Sequence, residues 1–191
     1  IKLPIEKLKL TLGARIDKID VSNSRALQPV YDITNGIYNS TPAGQKVIWE
    51  ARDADNVSWS GSIGLLYNAF KNIDFTLNVS RSFRSPAMEE RYQYIDLGSV
   101  LRVGNPDLNP EQGLFFDIGS RVWLQNFSFT GNIFANYFTD LVVEKPGTYE
   151  NRNALIKQNV GKSRIYGFDF DLMYNFYGSY VAYATLSYAR G

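Results

Sequence analysis

Residues 57–84 read VSWSGSIGLLYNAFKNIDFTLNVSRSFR, and the alternation in this stretch decides the fold class. Trp59, Ile63, Leu65 and Tyr67 fall on one parity, and Ser58, Ser60, Ser62 and Asn68 on the other. After a tight turn at KNID the pattern resumes, with Ile73, Phe75, Leu77, Val79 and Phe83 opposing Asp74, Thr76, Asn78, Ser80 and Ser82. Successive side chains of a strand point to opposite faces, so period two marks strands with one apolar and one polar face. A short turn between two such strands makes them antiparallel neighbours. Soluble strands usually run about 5–6 residues, and these runs are much longer. A tilted strand that crosses a bilayer needs about 9–11.

The same pattern extends over the rest of the chain. Further strands are expected over about Lys7–Asp17, Gly113–Leu124, Phe127–Val143, Ile156–Tyr174 with a break near Gly161, and Tyr180–Tyr188. The connections alternate too. Tight turns follow the second, fourth and sixth strands, at KNID, at Gln125-Asn126 and at NFYG, while longer loops span 18–56, 84–112 and 144–155. Pro29, Asn35-Gly36 and Pro42 mark turns within the first loop. Short turns at one end and long loops at the other are the pattern of a transmembrane barrel. The fold class is therefore all-β, an antiparallel meander of about seven long strands forming part of a larger transmembrane β-barrel. The polar face, rich in Asn, Ser, Thr and Asp, suits a hydrated lumen. Trp59, Tyr67, Phe83, Tyr137, Tyr174 and Tyr188 lie near strand ends, where interfacial girdles sit. A soluble sheet with one packed face explains the alternation, but neither the strand lengths nor the asymmetry of the connections.

Composition narrows function mainly by exclusion. With Lys+Arg 20 against Asp+Glu 19, the 191-residue chain presents no basic field for nucleic acid. It contains no His and no Cys, so it holds no Ser-His-Asp triad, thiolate site or disulfide. No cofactor and no metal site is expected; acidic loop residues such as Asp53 and Asp55 lack the spaced oxygen pattern of a calcium loop. No apolar run is long enough for a membrane-spanning helix, and no secretory leader is legible. Both ends interrupt strand-like runs, so the chain reads as an internal segment, 1–191, of a partial barrel domain.

Two stretches in the second long loop stand out, SRSFRSPAMEERY (80–92) and RVGNPDLNPEQ (102–112). Ser85 is a candidate helix cap, with Pro86 at the first helical position and Glu89 and Glu90 at the positive end of the turn. Arg84 lies one helical turn from the two acids, and pairing with them is preferred to ligand contact. The two Asn-Pro pairs, Asn105-Pro106 and Asn109-Pro110, fix turns that re-enter the sheet.

These stretches resemble the barrel signature of the TonB-dependent outer-membrane receptors. Ser80 through Glu90 matches S-x-x-F-R-x-P-x-x-x-E, carried by Phe83, Arg84, Pro86 and Glu90. Gly104 through Glu111 matches G-N-P-x-L-x-P-E, carried by Gly104, Asn105, Pro106, Leu108, Pro110 and Glu111. LTLGARID (10–17) and NVGKSRIYGFDFDL (159–172) resemble two further family strands, with Asp169 where Glu is usual. The resemblance implies a 22-strand barrel in the bacterial outer membrane, enclosing a plug domain that this segment lacks. It implies import of a scarce nutrient, an iron-siderophore complex above all, powered through the TonB complex. Expected partners are the plug, TonB, a small metal chelate and outer-membrane lipid. Haem receptors of the family carry the same flanks around a haem-ligating His, and that His is missing here. No catalytic residue is expected. Arg84, Arg91, Tyr92 and Tyr94 are candidates for ligand contact, because Arg suits anionic chelates and Tyr adds a flat face with a hydroxyl. Tyr31, Tyr38 and Trp49 share that candidacy. An outer-membrane barrel enzyme and a structural or adhesive surface protein are the alternatives.

Overall fold

The structure is a computed structural model and describes residues 2–5, 7–27, 32–34, 36–39, 44–176 and 179–191. Pro29, Tyr31, Asn35, Pro42 and residues 177–178 of the last tight turn lie outside the described residues, as does the side chain of Tyr38. In chain order the strands are β1 Lys2–Ile5, β2 Leu8–Asn23, β3 Ala26–Leu27, β4 Asp32–Thr34, β5 Ile37–Asn39, β6 Val47–Trp49, β7 Arg52–Phe70 and β8 Ile73–Arg84. Helix α1, Met88–Tyr92, comes next. It is followed by β9 Tyr94–Asp96, β10 Leu101–Val103, β11 Glu111–Trp123, β12 Phe127–Thr139, β13 Val142–Tyr149, β14 Arg152–Asn159, β15 Ser163–Phe176 and β16 Tyr180–Arg190.

One large sheet carries the expected meander in the order β1-β2-β7-β8-β11-β12-β15-β16, antiparallel throughout. Its seven long members are the seven strands read from the alternation, and short β1 adds an edge. At the tight-turn end, side chains reinforce the hairpins. Asn72 Nδ2 donates to the Trp123 carbonyl at 2.6 Å, and the Trp123 N–H returns to the Asn72 carbonyl at 3.0 Å. Among the described residues none packs over the apolar face of this sheet. Ile16 is 77 % exposed, Ile118 59 % and Ile133 58 %. A soluble sheet would bury these side chains, since each is worth about 1.5–3 kcal/mol once out of water. The polar face is a ladder of short cross-strand contacts, such as Asn78 Nδ2 to Asp117 Oδ2 at 3.4 Å and Thr185 Oγ1 to Asp171 Oδ1 at 2.8 Å.

Three boundaries differ from the sequence reading. Strands β2 and β7 continue past Asp17 and start before Val57, pairing up to Asn23 opposite Arg52. Backbone pairing needs no apolar face, so the ladder runs on where alternation fades, and polar pairs such as Lys18–Asp20 at 3.1 Å flank it. Strand β12 stops at Thr139, because Asp140 adopts a left-handed φ of 59° and turns the chain out of the sheet. Residues 152–159 do not open the sixth barrel strand: β14 pairs with β13 instead, and the break falls at Val160–Lys162, around Gly161.

The second, four-stranded sheet has the order β13-β14-β10-β9 and sits in the long-loop region. It hosts the small hydrophobic core of Leu101, Val103 and Ala154, with Trp49, Tyr94, Tyr149 and Ile156 packed around it. Glu150 and Asn151, at φ 51° and 60°, form the two-residue turn between β13 and β14, the left-handed pair that a tight hairpin requires.

Candidate functional site

The loop between β8 and β11 is built outward from one guanidinium. Arg84 ends β8 directly opposite Glu111, which opens β11. Its Nε donates to Glu111 Oε2 at 2.6 Å, and its two terminal nitrogens grip Glu90 at 2.8 and 3.0 Å. A planar guanidinium is suited to such a two-pronged grip on a carboxylate. Each carboxylate then holds a backbone N–H elsewhere. Glu90 Oε2 accepts from Ala87 N at 2.8 Å, at the start of α1, and Glu111 Oε1 accepts from Val142 N at 2.7 Å, at the start of β13. The last charged residue of each family motif is thus bound to the arginine of the first motif. Arg84 thus makes the acidic pairing expected of it, with Glu90.

This arrangement also corrects the helix start. Ala87, not Ser85, precedes the first turn, and Pro86 lies outside it. Glu90 reaches back to the Ala87 N–H and fills the role expected of the Ser85 hydroxyl. Ser85 Oγ is buried with no hydrogen-bond partner among the described residues.

The second motif locks onto the back of α1. Gly104 N donates to the Gln93 carbonyl at 2.8 Å and Asn105 N to the Glu90 carbonyl at 3.0 Å. A Cβ on Gly104 would lie 2.6 Å from both C and O of Arg91, so glycine is required here by close approach of two backbones. Asn105 Oδ1 accepts from Asp107 N at 2.9 Å, the Asx turn that Asn-Pro favours, and Leu108 is buried beneath it. Asn159, the first residue of the fourth motif, reaches across: it accepts from Asn109 N at 2.8 Å and donates to the Asn109 carbonyl at 3.0 Å and to the Asp140 carbonyl at 2.5 Å.

Of the proposed contact residues, Arg91 is 2 % exposed and donates to the Pro106 carbonyl at 2.6 Å, so it is turned into its own loop. Tyr92 is half-buried edge-on to Trp49 at 6.0 Å, with its hydroxyl buried. Tyr94 is half-buried against Tyr149 at 6.3 Å. Exposed around them are the apolar side chains of Met88, Ile95 and Leu97, interspersed with Glu89 and Asp96. Sequence reasoning passed over the three apolar ones because its search was for charge and hydroxyls.

Ion pairs join all three long loops. Arg52 meets Asp107 at 2.8 Å, Lys46 meets Glu150, Arg102 meets Glu144 at 2.6 Å, and Arg152 grips Asp96 at 2.6 and 2.8 Å. The Arg152 guanidinium, with the Gly98 N–H, lowers the Asp96 carboxyl from 3.8 to about 2. Arg84 lowers Glu90 below its ordinary 4.5. Burial pushes Glu144 up, but Arg102 and Lys157 outweigh it and the net shift is down. Carboxyls depressed in the folded state stabilise it above their unfolded values and lose that contribution as pH falls through the folded ones. The ion-paired loops are therefore expected to hold together at pH 5 and to loosen on acidification from about 4.5 towards about 2. Protease nicking of the loops across that range in the complete protein would measure this. With no histidine to titrate between pH 5 and 8, loosening confined to that interval would contradict it.

The family description "TonB dependent receptor-like, beta-barrel" matches residues 2–191. Among solved structures, the copper transporter OprC superimposes with a TM-score of 0.70 at 18 % identity, over 97 % of this chain and 27 % of its own. The hemophore receptor HasR of Serratia marcescens, solved with its hemophore HasA and heme, gives 0.69 at 18 %, over 97 % and 32 %. The FrpB iron transporter of Neisseria meningitidis gives 0.66 at 15 %, over 99 % and 24 %. The chain thus spans about a quarter to a third of the length of these proteins. No curated protein sequence matches it.

Proposed function

The chain belongs to the TonB-dependent receptor-like β-barrel family, whose barrels are outer-membrane proteins, and from that premise we propose that it forms one arc of a receptor that imports a ferric chelate. Its seven long strands make part of the wall, multi-pass through the bacterial outer membrane. Its loops present a ligand platform at the outer rim. The plug domain and the TonB complex belong to the complete receptor; the solved relatives are about three to four times as long as this segment. The role is transport, with no catalytic step.

The observation that carries this reading is the tying of three loops into one body by Arg84, Asn159 and the inter-loop ion pairs. Rigid presentation lowers the ordering cost of binding. A ferric chelate supplies its own iron ligands, which suits a segment without histidine. Among the described residues no group of His, Cys, Asp or Glu is arranged to hold a bare ion. In this reading Arg84 and Arg91 shape the platform. The Tyr94 ring, Ile95 and Leu97 meet the apolar and aromatic parts of the chelate, and Tyr92 supports them from below. Removing residues 84–112 from the complete receptor, bridged by a short linker, is expected to leave the barrel assembled and to cut ferric-siderophore uptake at least tenfold. Uptake at the original rate would sink the platform's role.

A further inference from the structure

The apolar face carries arginines where hydrocarbon contacts are expected, Arg81, Arg164 and Arg190. Arg81 shares its parity with Phe75, Leu77 and Val79, so its side chain leaves the sheet on the membrane side. It stacks over Trp59, 4.2 Å from the ring centroid, donates to the Trp59 carbonyl, and reaches Gln112 Oε1 at 2.8 Å. A guanidinium has five N–H donors, and these contacts leave several to spare. Among the described residues no carboxylate pairs with it. On the outward parity of β8, β11, β12, β15 and β16 there is no Asp or Glu; on β2 and β7 that parity carries Asp20, Asp53 and Asp55, at the end nearest the long loops.

Arg81 heads a groove of about 520 Å³ in the same face. The cross-strand neighbours Ala14 and Gly61 form its floor, and Gly61 in turn pairs with Arg81. Trp59, Ile63, Val79 and Leu114 form its walls. The register then continues sideways from Arg81 through Leu114 and Tyr137 to Arg164. Arg164 also faces outward and lies over the Tyr166 ring at 5.9 Å. Three inter-strand spacings separate the two arginines, about 14 Å along the rim. An interfacial arginine that merely snorkels extends freely to water; Arg81 instead is fixed across an aromatic face above an apolar trough.

We propose that this groove binds a glycolipid of the outer leaflet that bears a phosphate at each end of a disaccharide headgroup, with one acyl chain on Ala14 and Gly61, one phosphate on Arg81 and the other on Arg164. Charge complementarity selects the occupant. The trough takes hydrocarbon, the planar fork takes phosphate, and the spacing of the two cations exceeds the reach of a single phosphodiester. The proposal rests on the membrane-facing reading of the sheet above, and the test separates the two.

Native mass spectrometry of the complete receptor in detergent, titrated with bisphosphorylated lipid A, measures the site. A one-to-one adduct is expected with the unaltered protein. Its affinity should fall at least tenfold in Arg81→Gln and in Gly61→Leu, which fills the trough without changing charge. Arg164→Gln should lose several-fold, and lipid A lacking one phosphate should show the same deficit on the unaltered protein. Arg121→Gln, on the opposite parity, should bind normally. Equal binding of phosphorylated and dephosphorylated lipid A, equal binding by Arg81→Gln and Gly61→Leu, or a second receptor copy seated on this face would each overturn the site. So would a preference for phosphatidylglycerol. In all of these, retention of a detergent or lipid belt by a folded receptor leaves the membrane reading intact, whereas a receptor that is folded and monodisperse without detergent would remove both. Should one variant fail to fold, the comparison of lipids on the unaltered protein still decides.

Discussion

Replacing Gly104 by valine is expected to raise amide exchange at Asn105 about a hundredfold while the barrel strands keep their protection. The new Cβ would sit 2.6 Å from the Arg91 carbonyl carbon and oxygen and 2.8 Å from Gln93 N. These are backbone atoms of the last turn of α1, so no rotamer change relieves the clash, and the two segments must part. Overpacking of this kind costs about 1–3 kcal/mol. Separation also breaks the bonds from Gly104 N to Gln93 O and from Asn105 N to Glu90 O, each worth about 1 kcal/mol. A sum near 3 kcal/mol corresponds to about a hundredfold in a local opening equilibrium. Alanine should deliver most of the effect, because the Cβ itself is the offending atom. Gly64→Ala, whose Cβ would meet nothing nearer than 3.8 Å, should do nothing. Hydrogen exchange on the complete receptor reads all three, and unchanged exchange at Asn105 in the valine variant would refute the close-approach account.

The second large effect belongs to Arg84→Ala. The arginine holds two carboxylates that its removal would leave facing each other at the mouth of the loop. A fully buried pair broken in this way costs about 3–5 kcal/mol. Arg84 is 48 % exposed, so solvent screens much of that and about 1–2 kcal/mol is expected. The signature lies in the pattern. Arg84→Ala should release both α1 and the start of β13, because Glu90 and Glu111 each relay the arginine to a backbone N–H. A double-mutant cycle of Arg84→Ala with Glu111→Gln should return a coupling of about 1 kcal/mol. Release of α1 alone, with β13 still protected and no coupling to Glu111, would show that the bridge joins nothing.

The barrel strands were legible in the sequence because lipid and water impose period two on them. Leu10, Leu12 and Ile16 answer to one solvent, and Thr11, Arg15 and Asp17 to the other. Where both faces meet water that constraint ends, so residues 18–23 and 52–56 looked like loop although backbone pairing continues through them. The four-stranded loop sheet was hidden for a related reason. Its strands β9 and β10 are three residues each, too short to establish a period, and its core unites Leu101 and Val103 with Ala154 from a distant part of the chain. The motif residues marked the platform by their types, but their partners were only half readable. Arg84 with Glu90 is a local pair, six residues apart across the strand-to-helix turn, whereas Arg84 with Glu111 depends on the register of β8 against β11. Arg91 was named for ligand contact, and nothing in its neighbours announces that Pro106 offers it a carbonyl.

One pairing in the loop sheet differs from all the others: β10 runs parallel to β14, with Leu101 opposite Ala154 and Val103 opposite Ile156. It joins two excursions that leave the wall at different hairpins. A flap hinged at its own two ends would open by itself, quickly and without reference to its neighbour. Here neither excursion can swing without peeling that shared ladder and exposing the same few buried side chains. Opening becomes one concerted event with a single barrier, shared by both excursions.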